Sequence, residues 1–332
     1  MFMKCIKVRC VDAESVRKAL LEKSLLNKNY KIKRERNFVY IPVLGAFRSY
    51  SLIEKKLEKI KIKKSLKEEL KDKLKNKELA LLKTSFDTIG SIAVLEIDDE
   101  LLSKKKQIAD AVLNLNKNIK TVVRKSSSHE GIFRVQSYEY LAGIRSFKTV
   151  HKESGIVLSF DISKTYFTPR LANERLRIAK LVKEDEKVLV MFSGIGIYCF
   201  IISKYSKPKE IYGVEINPDA YRYAEKNLVL NKIDNVKLLC GNVKNVVPRL
   251  KKKFDRIIMP SPTNAAEYLN VAIASLKSRG FIHLYSFVED NKVEELIEDL
   301  KLRLSNIKVL KVTNCGQNSP NSHRVCIDLK LQ

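Results

Sequence analysis

Nowhere in the 332 residues is there a run approaching the ~20 consecutive apolar side chains that a membrane-spanning helix requires, so a span of that kind is excluded. The opening stretch MFMKCIKVRCV alternates like a strand and lacks the apolar core of a secretory signal. The six cysteines (Cys5, Cys10, Cys199, Cys240, Cys315, Cys326) form no CxxC pair. Most fall in apolar strand contexts, as small buried residues do in a reducing cytoplasm, where the chain is expected to reside. The four histidines (His129, His151, His283, His323) are isolated from one another, and no metal site is expected. Acid is the scarce charge: 38 Asp+Glu stand against 64 Lys+Arg, a formal net charge of +26. That excess points to a polyanionic partner, nucleic acid before membrane, with a merely lysine-decorated surface as the competing explanation. A hydrophobic content of 45% supports globular folding, and the length allows two or three domains, each with a core.

What is present is organised around residues 187–215, KVLVMFSGIGIYCFIISKYSKPKEIYGVE. A buried strand at 188–191 leads through Ser193-Gly194-Ile195-Gly196 into a helix, and a second strand at 211–214 ends on Glu215. Glycines at the first strand–helix turn let a ligand approach the backbone, because no side chain intervenes. An acid roughly 20 residues further on, at the tip of the next strand, is placed to accept hydrogen bonds from a ribose diol. Cys199 stands where the dinucleotide fingerprint has its third glycine. This favours a nucleoside without a pyrophosphate, such as S-adenosyl-L-methionine (SAM), over NAD.

Along the chain, residues 4–11 read as a strand, and Asp12 is placed to cap a helix with Val16, Ala19, Leu20 and Leu25 on its apolar side. Residues 30–32 and 38–42 read as two strands around a turn at 34–37, giving half of a ferredoxin-like sandwich. Lys28, Lys31, Lys33, Arg34 and Arg36 are available for phosphate contacts. Tyr30 and Tyr40 suit base stacking or, equally, internal packing. The lysine-dense stretch 55–78 reads as a solvated charged helix between domains, or else as a phosphate-binding surface. A hairpin at 82–97, a helix over 100–115, strands at 121–123 and 133–135, and a hairpin turning at Ser154-Gly155 form a second α+β unit. From about 188 strands and helices alternate, as in a doubly wound parallel sheet. No helix separates its final two strands, 307–312 and 324–329. The expected organisation is 1–62, a small basic α+β domain; 63–160, an α+β domain; and 161–332, a Rossmann-like α/β domain. An α/β sheet closed by an adjacent final pair is the seven-stranded arrangement of class I SAM methyltransferases.

Several motifs then make a family visible: FRVQSYEYLAG (133–143), HKESG (151–155), DISKTYFTPRLANER (161–175), FSGIG (192–196) and VEINP (214–218). Across nearly its whole length the chain resembles the archaeal and eukaryotic tRNA (guanine37-N1)-methyltransferases, and YFTPRLANER is the most specific of these blocks. The resemblance implies a monomeric, SAM-dependent enzyme that forms 1-methylguanosine at position 37 of the tRNA anticodon loop. Its first domain would grip the outer corner of the tRNA. One archaeal branch also methylates C7 of the wyosine precursor 4-demethylwyosine.

The chemistry has its own logic. Guanine N1 carries a proton near neutral pH, so the reaction needs a base beside N1 and a donor for the charge growing on O6. In the resembling family the positions matching Glu174 and Arg134 hold these tasks. Otherwise Glu174 reads as an acid favoured at a helix start, and Arg134 as a surface cation. Tyr166 would stack on a base or shape the cofactor site; as a plain residue it reads as core. Cofactor contacts are expected at Tyr166, Phe192, Gly194, Gly196, Glu215, Ile216, Asn242 and Pro260. Substrate contacts are expected at Arg134, Arg170, Ser261, Pro262 and Asn264. The chain departs from the family at Val190, where the first strand commonly carries an acid, and at Ile197, usually proline. It departs again at Pro260, where the family has an asparagine that orients the target base. Val190 and Pro260 favour a competing reading, a tRNA-binding protein with a vestigial methyltransferase domain. Retention of Arg134, Glu174, both turn glycines and Glu215 argues against it.

Overall fold

The computed structural model describes residues 2–48, 50–60, 64–126, 131, 133–263, 265–304, 306–319 and 321–332. The chain divides into two compact units, Met1–Glu68 and Glu69–Gln332. Among the described residues no helix is long and apolar enough to cross a membrane.

In the first unit, β1 (Phe2–Arg9), β2 (Lys33–Glu35), β3 (Phe38–Pro42) and β4 (Leu52–Lys56) form one antiparallel sheet in the order β2-β3-β1-β4. Helix α1 (Ala13–Glu22) packs Val16 and Leu20 onto Ile6, Val8, Val39 and Ile41 of that sheet. Asp12 occupies the position before α1 without capping it, because its carboxylate accepts from Arg9 Nε at 3.0 Å instead. The strand expected at 30–32 begins only at Lys33. Tyr30 is buried with Cys5 and Leu57, so packing has taken the ring that might have stacked on a base. Lys28, Lys31, Lys33, Arg34 and Arg36 are all exposed.

The lysine-dense stretch is not one helix. Ile53 and Lys55 alternate as β4 pairs with β1, and the buried Leu57 follows. The rest breaks into α2 (Leu66–Leu70) and α3 (Asn76–Leu81), where Leu66 and Leu70, four residues apart, are both buried.

The second unit opens with a four-stranded sheet in the order β5-β6-β7-β8, from Asp87–Ile89, Ile92–Leu95, Thr121–Lys125 and Tyr138–Gly143. Helix α4 (Lys105–Leu115) connects the parallel pair β6 and β7. Of residues 133–135, expected as a strand, Phe133 and Arg134 form a turn in which Arg134 adopts φ +53°, and only Val135 makes a β-bridge. A hairpin follows, β9 (Lys148–Glu153) and β10 (Ile156–Asp161), then α5 (Ala172–Leu181).

The seven-stranded sheet comprises β11 (Lys187–Met191), β12 (Glu210–Glu215), β13 (Val236–Cys240), β14 (Phe254–Met259), β15 (Leu276–Glu289), β16 (Ile307–Ser319) and β17 (Ser322–Leu331). Its order is β13-β12-β11-β14-β15-β17-β16, parallel from β13 to β15, with β17 antiparallel to both neighbours. Helices α6 (Ile197–Tyr205), α7 (Pro218–Leu230), α8 (Val243–Arg249), α9 (Leu269–Ser275) and α10 (Val293–Arg303) complete the alternation. The segment expected as a polar loop at 313–322 is instead the continuation of β16 into a long hairpin with β17.

One apolar core runs without a break from Ile89, Ile92 and Val123 through Leu158 and Phe160 to Val190, Phe200 and Ile201. The small sheet, the β9–β10 hairpin and one face of the large sheet are therefore consolidated together. A second core, with Leu189, Phe254 and Ile282, fills the opposite face. The chain order reverses between β11 and β14, which opens a crevice at the carboxyl ends of β11, β12 and β14, where ligands bind in such sheets.

Candidate active site

The crevice is built by the turn after β11. Phe192, Gly194 and Gly196 all have positive φ (58°, 56° and 88°), so the chain doubles back at once and starts α6. Gly194 N–H donates to Glu215 Oε2 at 2.7 Å, and Asn217 N–H to Oε1 at 2.8 Å. The carboxylate thus ties the tips of β11 and β12 together. Burial pushes the Glu215 carboxyl above its usual range, against the pull of the Asn217, Gly194 and Ile216 amides. A Cβ on Gly196 would lie 2.3 Å from the Phe200 ring, which is fully buried and has nowhere to move. Gly196→Ala is accordingly expected to cost about 1–3 kcal/mol of stability and to weaken SAM binding, as read from urea unfolding and calorimetric titration.

Beside this turn lies a cavity of 370 Å³ lined by Arg134, Phe192, Ile216, Asn242, Ser261 and Tyr268, among others. Phe192 and Tyr268 meet edge to face at 5.0 Å, giving one apolar wall suited to a flat ring. Asn242 Oδ1 already accepts from Lys244 N–H at 2.9 Å as the cap of α8, so one lone pair remains for a ligand amine. Pro260 directly follows the fourth strand and, like Pro262, lines neither this cavity nor the next; Ser261 and Thr263 face the crevice instead. Asn264 lies outside the described residues. Sequence reasoning missed Gly131, Gly241, Val243, Thr263 and Tyr268 in this wall. Only Gly241, directly after the third strand with φ +145°, carried a local signal.

A second cavity of 360 Å³ adjoins it, with Tyr138, Tyr166, Arg170, Cys315, Gln317 and Arg324 in its wall. Tyr166 relates the two spaces. Its carbonyl lies 3.9 Å from where a Gly194 Cβ would stand, and its ring lies beneath the Arg134 guanidinium at 5.9 Å. Its hydroxyl accepts from Arg324 Nη2 at 3.3 Å. Burial first, then the neighbouring Arg324 charge, press the Arg134 guanidinium below its ordinary value. Arg170 is held by Asp87 at 2.8 Å.

Glu174, in the first turn of α5, is buried behind that wall. Its Oε1 accepts from Tyr285 Oη at 2.6 Å and Arg177 Nη2 at 2.8 Å, and Oε2 from Arg177 Nε at 2.7 Å. The Cys315 thiol in the cavity wall is pushed up to about 12, by burial first and then by the Glu174 carboxylate. The structure thus gathers Arg134, Tyr166, Phe192, Ile216, Asn242 and Ser261 around adjoining cavities. It places Gly194 and Gly196 in the turn beside them, Glu215 at the tip of β12 against that turn, and Glu174 just behind the wall.

A nucleoside fits this crevice: a glycine turn without side chains, a carboxylate at the second strand tip, apolar faces from Ile216 and Phe192. The sheet order, the turn and the crevice together define a class I SAM-dependent methyltransferase. Residues 149–312 match the TRM5/TYW2 methyltransferase domain, 66–146 the TYW2 N-terminal domain and 5–51 the tRNA methyltransferase 5 N-terminal domain. The chain is 34% identical over 334 residues to the tRNA (guanine(37)-N(1))-methyltransferase Trm5b of Pyrococcus abyssi, covering 98% of each chain. The crystal structure of that Trm5b superposes with a TM-score of 0.76 over 99% of both chains, at 35% identity. An aTrm5 solved in complex with tRNALeu matches with a TM-score of 0.72 at 31% identity, over 99% of each. The Nanoarchaeum equitans tRNA (guanine(37)-N(1))/4-demethylwyosine(37)-methyltransferase Taw22 is 27% identical, covering 74% of this chain and 99% of its own. The chain belongs to the Trm5/TYW2 methyltransferase family, and its cofactor is S-adenosyl-L-methionine.

Proposed function

We propose that the chain methylates N1 of guanosine at position 37 of tRNA, with Glu174 as general base and Arg134 as the donor to O6. The observation that carries this reading is the placement of Tyr166. Its backbone lies against the cofactor turn, and its ring and hydroxyl join Arg134 to the second cavity, behind which Glu174 is buried.

Bound SAM supplies an electrophilic methyl carbon. Glu215 would hold the ribose hydroxyls, Ile216 and Phe192 the adenine faces, and the free lone pair of Asn242 Oδ1 the adenine amine. A base splayed out of the anticodon loop enters beside Tyr166. The N1 proton passes to Glu174 Oε2, which has a lone pair left after Arg177 Nε. Arg134 meets the negative charge that moves to O6. The N1–carbon bond forms as the carbon–sulfur bond breaks, and S-adenosylhomocysteine leaves. Positioning provides much of the rate.

Residues 1–62 grip the outer corner of the tRNA, 63–160 carry Arg134 from the RNA side, and 161–332 hold the cofactor. Every group in the scheme comes from one chain, so a monomer suffices. C7 methylation of 4-demethylwyosine is the second reading. It is favoured by the crevice loop, where Ser261 and Thr263 line the cavity and Pro260 stands at the position of the family's asparagine, and by the activity named for Taw22.

Labelled SAM incubated with an unmodified tRNA transcript is expected to label the RNA. A transcript with adenosine at position 37 is expected to stay unlabelled. Equal labelling of both contradicts the position.

A further inference from the structure

Glu174 is one end of a buried chain of polar groups that runs under the large sheet, away from the cavities. Arg177 donates to Glu174 and also to Asp328, at 2.7 Å from Nη1 and 3.2 Å from Nη2. Asp328 meets His283 Nδ1 at 2.6 Å, and His283 Nε2 faces Arg256 Nη1 at 2.7 Å. Arg256 closes the chain on Glu186 through two bonds of 2.8 and 3.0 Å. These residues come from α5, β14, β15, β17 and the segment before β11, and no sequence motif links them.

The tautomer of His283 follows from its partners. A guanidinium can only donate, so Nε2 accepts, and the ring proton sits on Nδ1 and goes to Asp328. Burial pushes the imidazole further towards neutrality. His283, Cys326 and Asp328 are close enough to suggest an ion site, but both imidazole nitrogens are already engaged. With His283 neutral, the chain holds three carboxylates (Glu174, Asp328, Glu186) against two guanidiniums (Arg177, Arg256), one negative charge in excess.

The other groups facing Glu174 do not cancel it. Burial raises the Tyr285 and Tyr198 hydroxyls from β15 and α6, and the Cys326 and Cys315 thiols from β17 and β16, so all four are neutral near pH 7. Arg175, on the same helix, is taken by Glu153 at 2.7 Å. An uncompensated buried charge is costly, and one added proton removes it. Asp328 is a poor place for that proton: burial pushes its carboxyl up, but His283 and Arg177 together hold it well below the carboxylate range. Of the two remaining carboxylates, Glu186 is held at the far end by Arg256 and Glu174 stands next to the cavity.

We propose that Tyr285, Arg177 and Asp328 are positioning residues that fix Glu174 and keep its network one positive charge short, so that it takes up the proton leaving the substrate. This rests on the base role of Glu174 and adds which buried groups hold that carboxylate and share its arginine. Asp328 shares Arg177 with Glu174, while Tyr285 holds Oε1 from the other side.

The test is the pH dependence of single-turnover methylation of a tRNA transcript at saturating SAM, with SAM affinity and thermal unfolding measured on each variant. Tyr285→Phe removes a donor to the carboxylate, so the acid limb is expected to move up by about one pH unit. Asp328→Asn leaves Arg177 to Glu174, so the limb is expected to move down by about one unit with a slower plateau. A merely structural role lowers both rates without opposite displacements. Limbs that coincide with the parent's, or move the same way, overturn the proposal. Should Asp328→Asn not fold, the near-isosteric Tyr285→Phe decides alone: an unmoved limb overturns it. Glu174→Gln separates the two levels. Full activity there removes the base role itself, whereas loss of activity with immobile limbs removes only the network.

Discussion

Glu174→Gln is expected to lower the single-turnover rate of methyl transfer by ~10²–10⁴-fold, the usual worth of a positioned general base. SAM affinity should be unchanged, since Glu174 does not line the cofactor cavity. The amide can still accept from Tyr285, and Arg177 keeps Asp328 as a partner, so the fold should survive. The loss then reports chemistry rather than unfolding. Substrate and cofactor binding by the variant, measured separately, should stay within twofold of the parent. A variant with parental rate would assign the N1 proton to solvent or to another group.

Arg134→Ala is expected to cost ~10²–10³-fold, the range for removing one donor to a developing oxyanion. Arg134 is half-buried above Tyr166, and among the described residues no carboxylate acts on its charge. Its guanidinium is therefore free to meet a substrate oxygen, and Arg324 beside it raises the local positive potential. Arg134→Lys should recover little, because an ammonium on a flexible stem does not reproduce the planar fork. The signature separating this role from RNA docking is kinetic: kcat falls while the KM for tRNA moves little. A change in KM alone would make Arg134 a docking residue.

The large sheet was the legible part of the fold. Helix Pro218–Leu230 and strands Val236–Cys240 and Phe254–Met259 keep to the alternation of strand and helix expected from about residue 188, because local signals agree there. Asn217 caps the helix through its side chain, and Pro218 opens it. Helix Val243–Arg249 escaped notice because it is short and holds Pro248 in its last turn, which reads as a breaker. Strand β4 ends inside the start of the lysine run, whose composition argued for a solvated helix while Ile53, Lys55 and Leu57 alternated.

The turn glycines, Glu215 and the positions of Arg134 and Glu174 were readable from motifs, since each sits within a local block. Their surroundings were not. Tyr285 and Asp328 lie 111 and 151 residues from the helix residues they bond, and nothing in the chain's local pattern encodes such a meeting. Tyr268 likewise looked like an ordinary helical aromatic until the strand order brought it against Phe192.

The most direct test of the account is the identity of the methylated nucleoside. Two transcripts of one tRNA, carrying guanosine or 4-demethylwyosine at position 37, would be incubated with labelled SAM and digested to nucleosides. The account predicts label in 1-methylguanosine from the first transcript. Label in the second transcript, in addition, would assign the Ser261–Thr263 side of the crevice a broader substrate. No label in 1-methylguanosine, with SAM bound and the tRNA intact, would contradict the central claim that Glu174 and Arg134 act on N1 of guanosine.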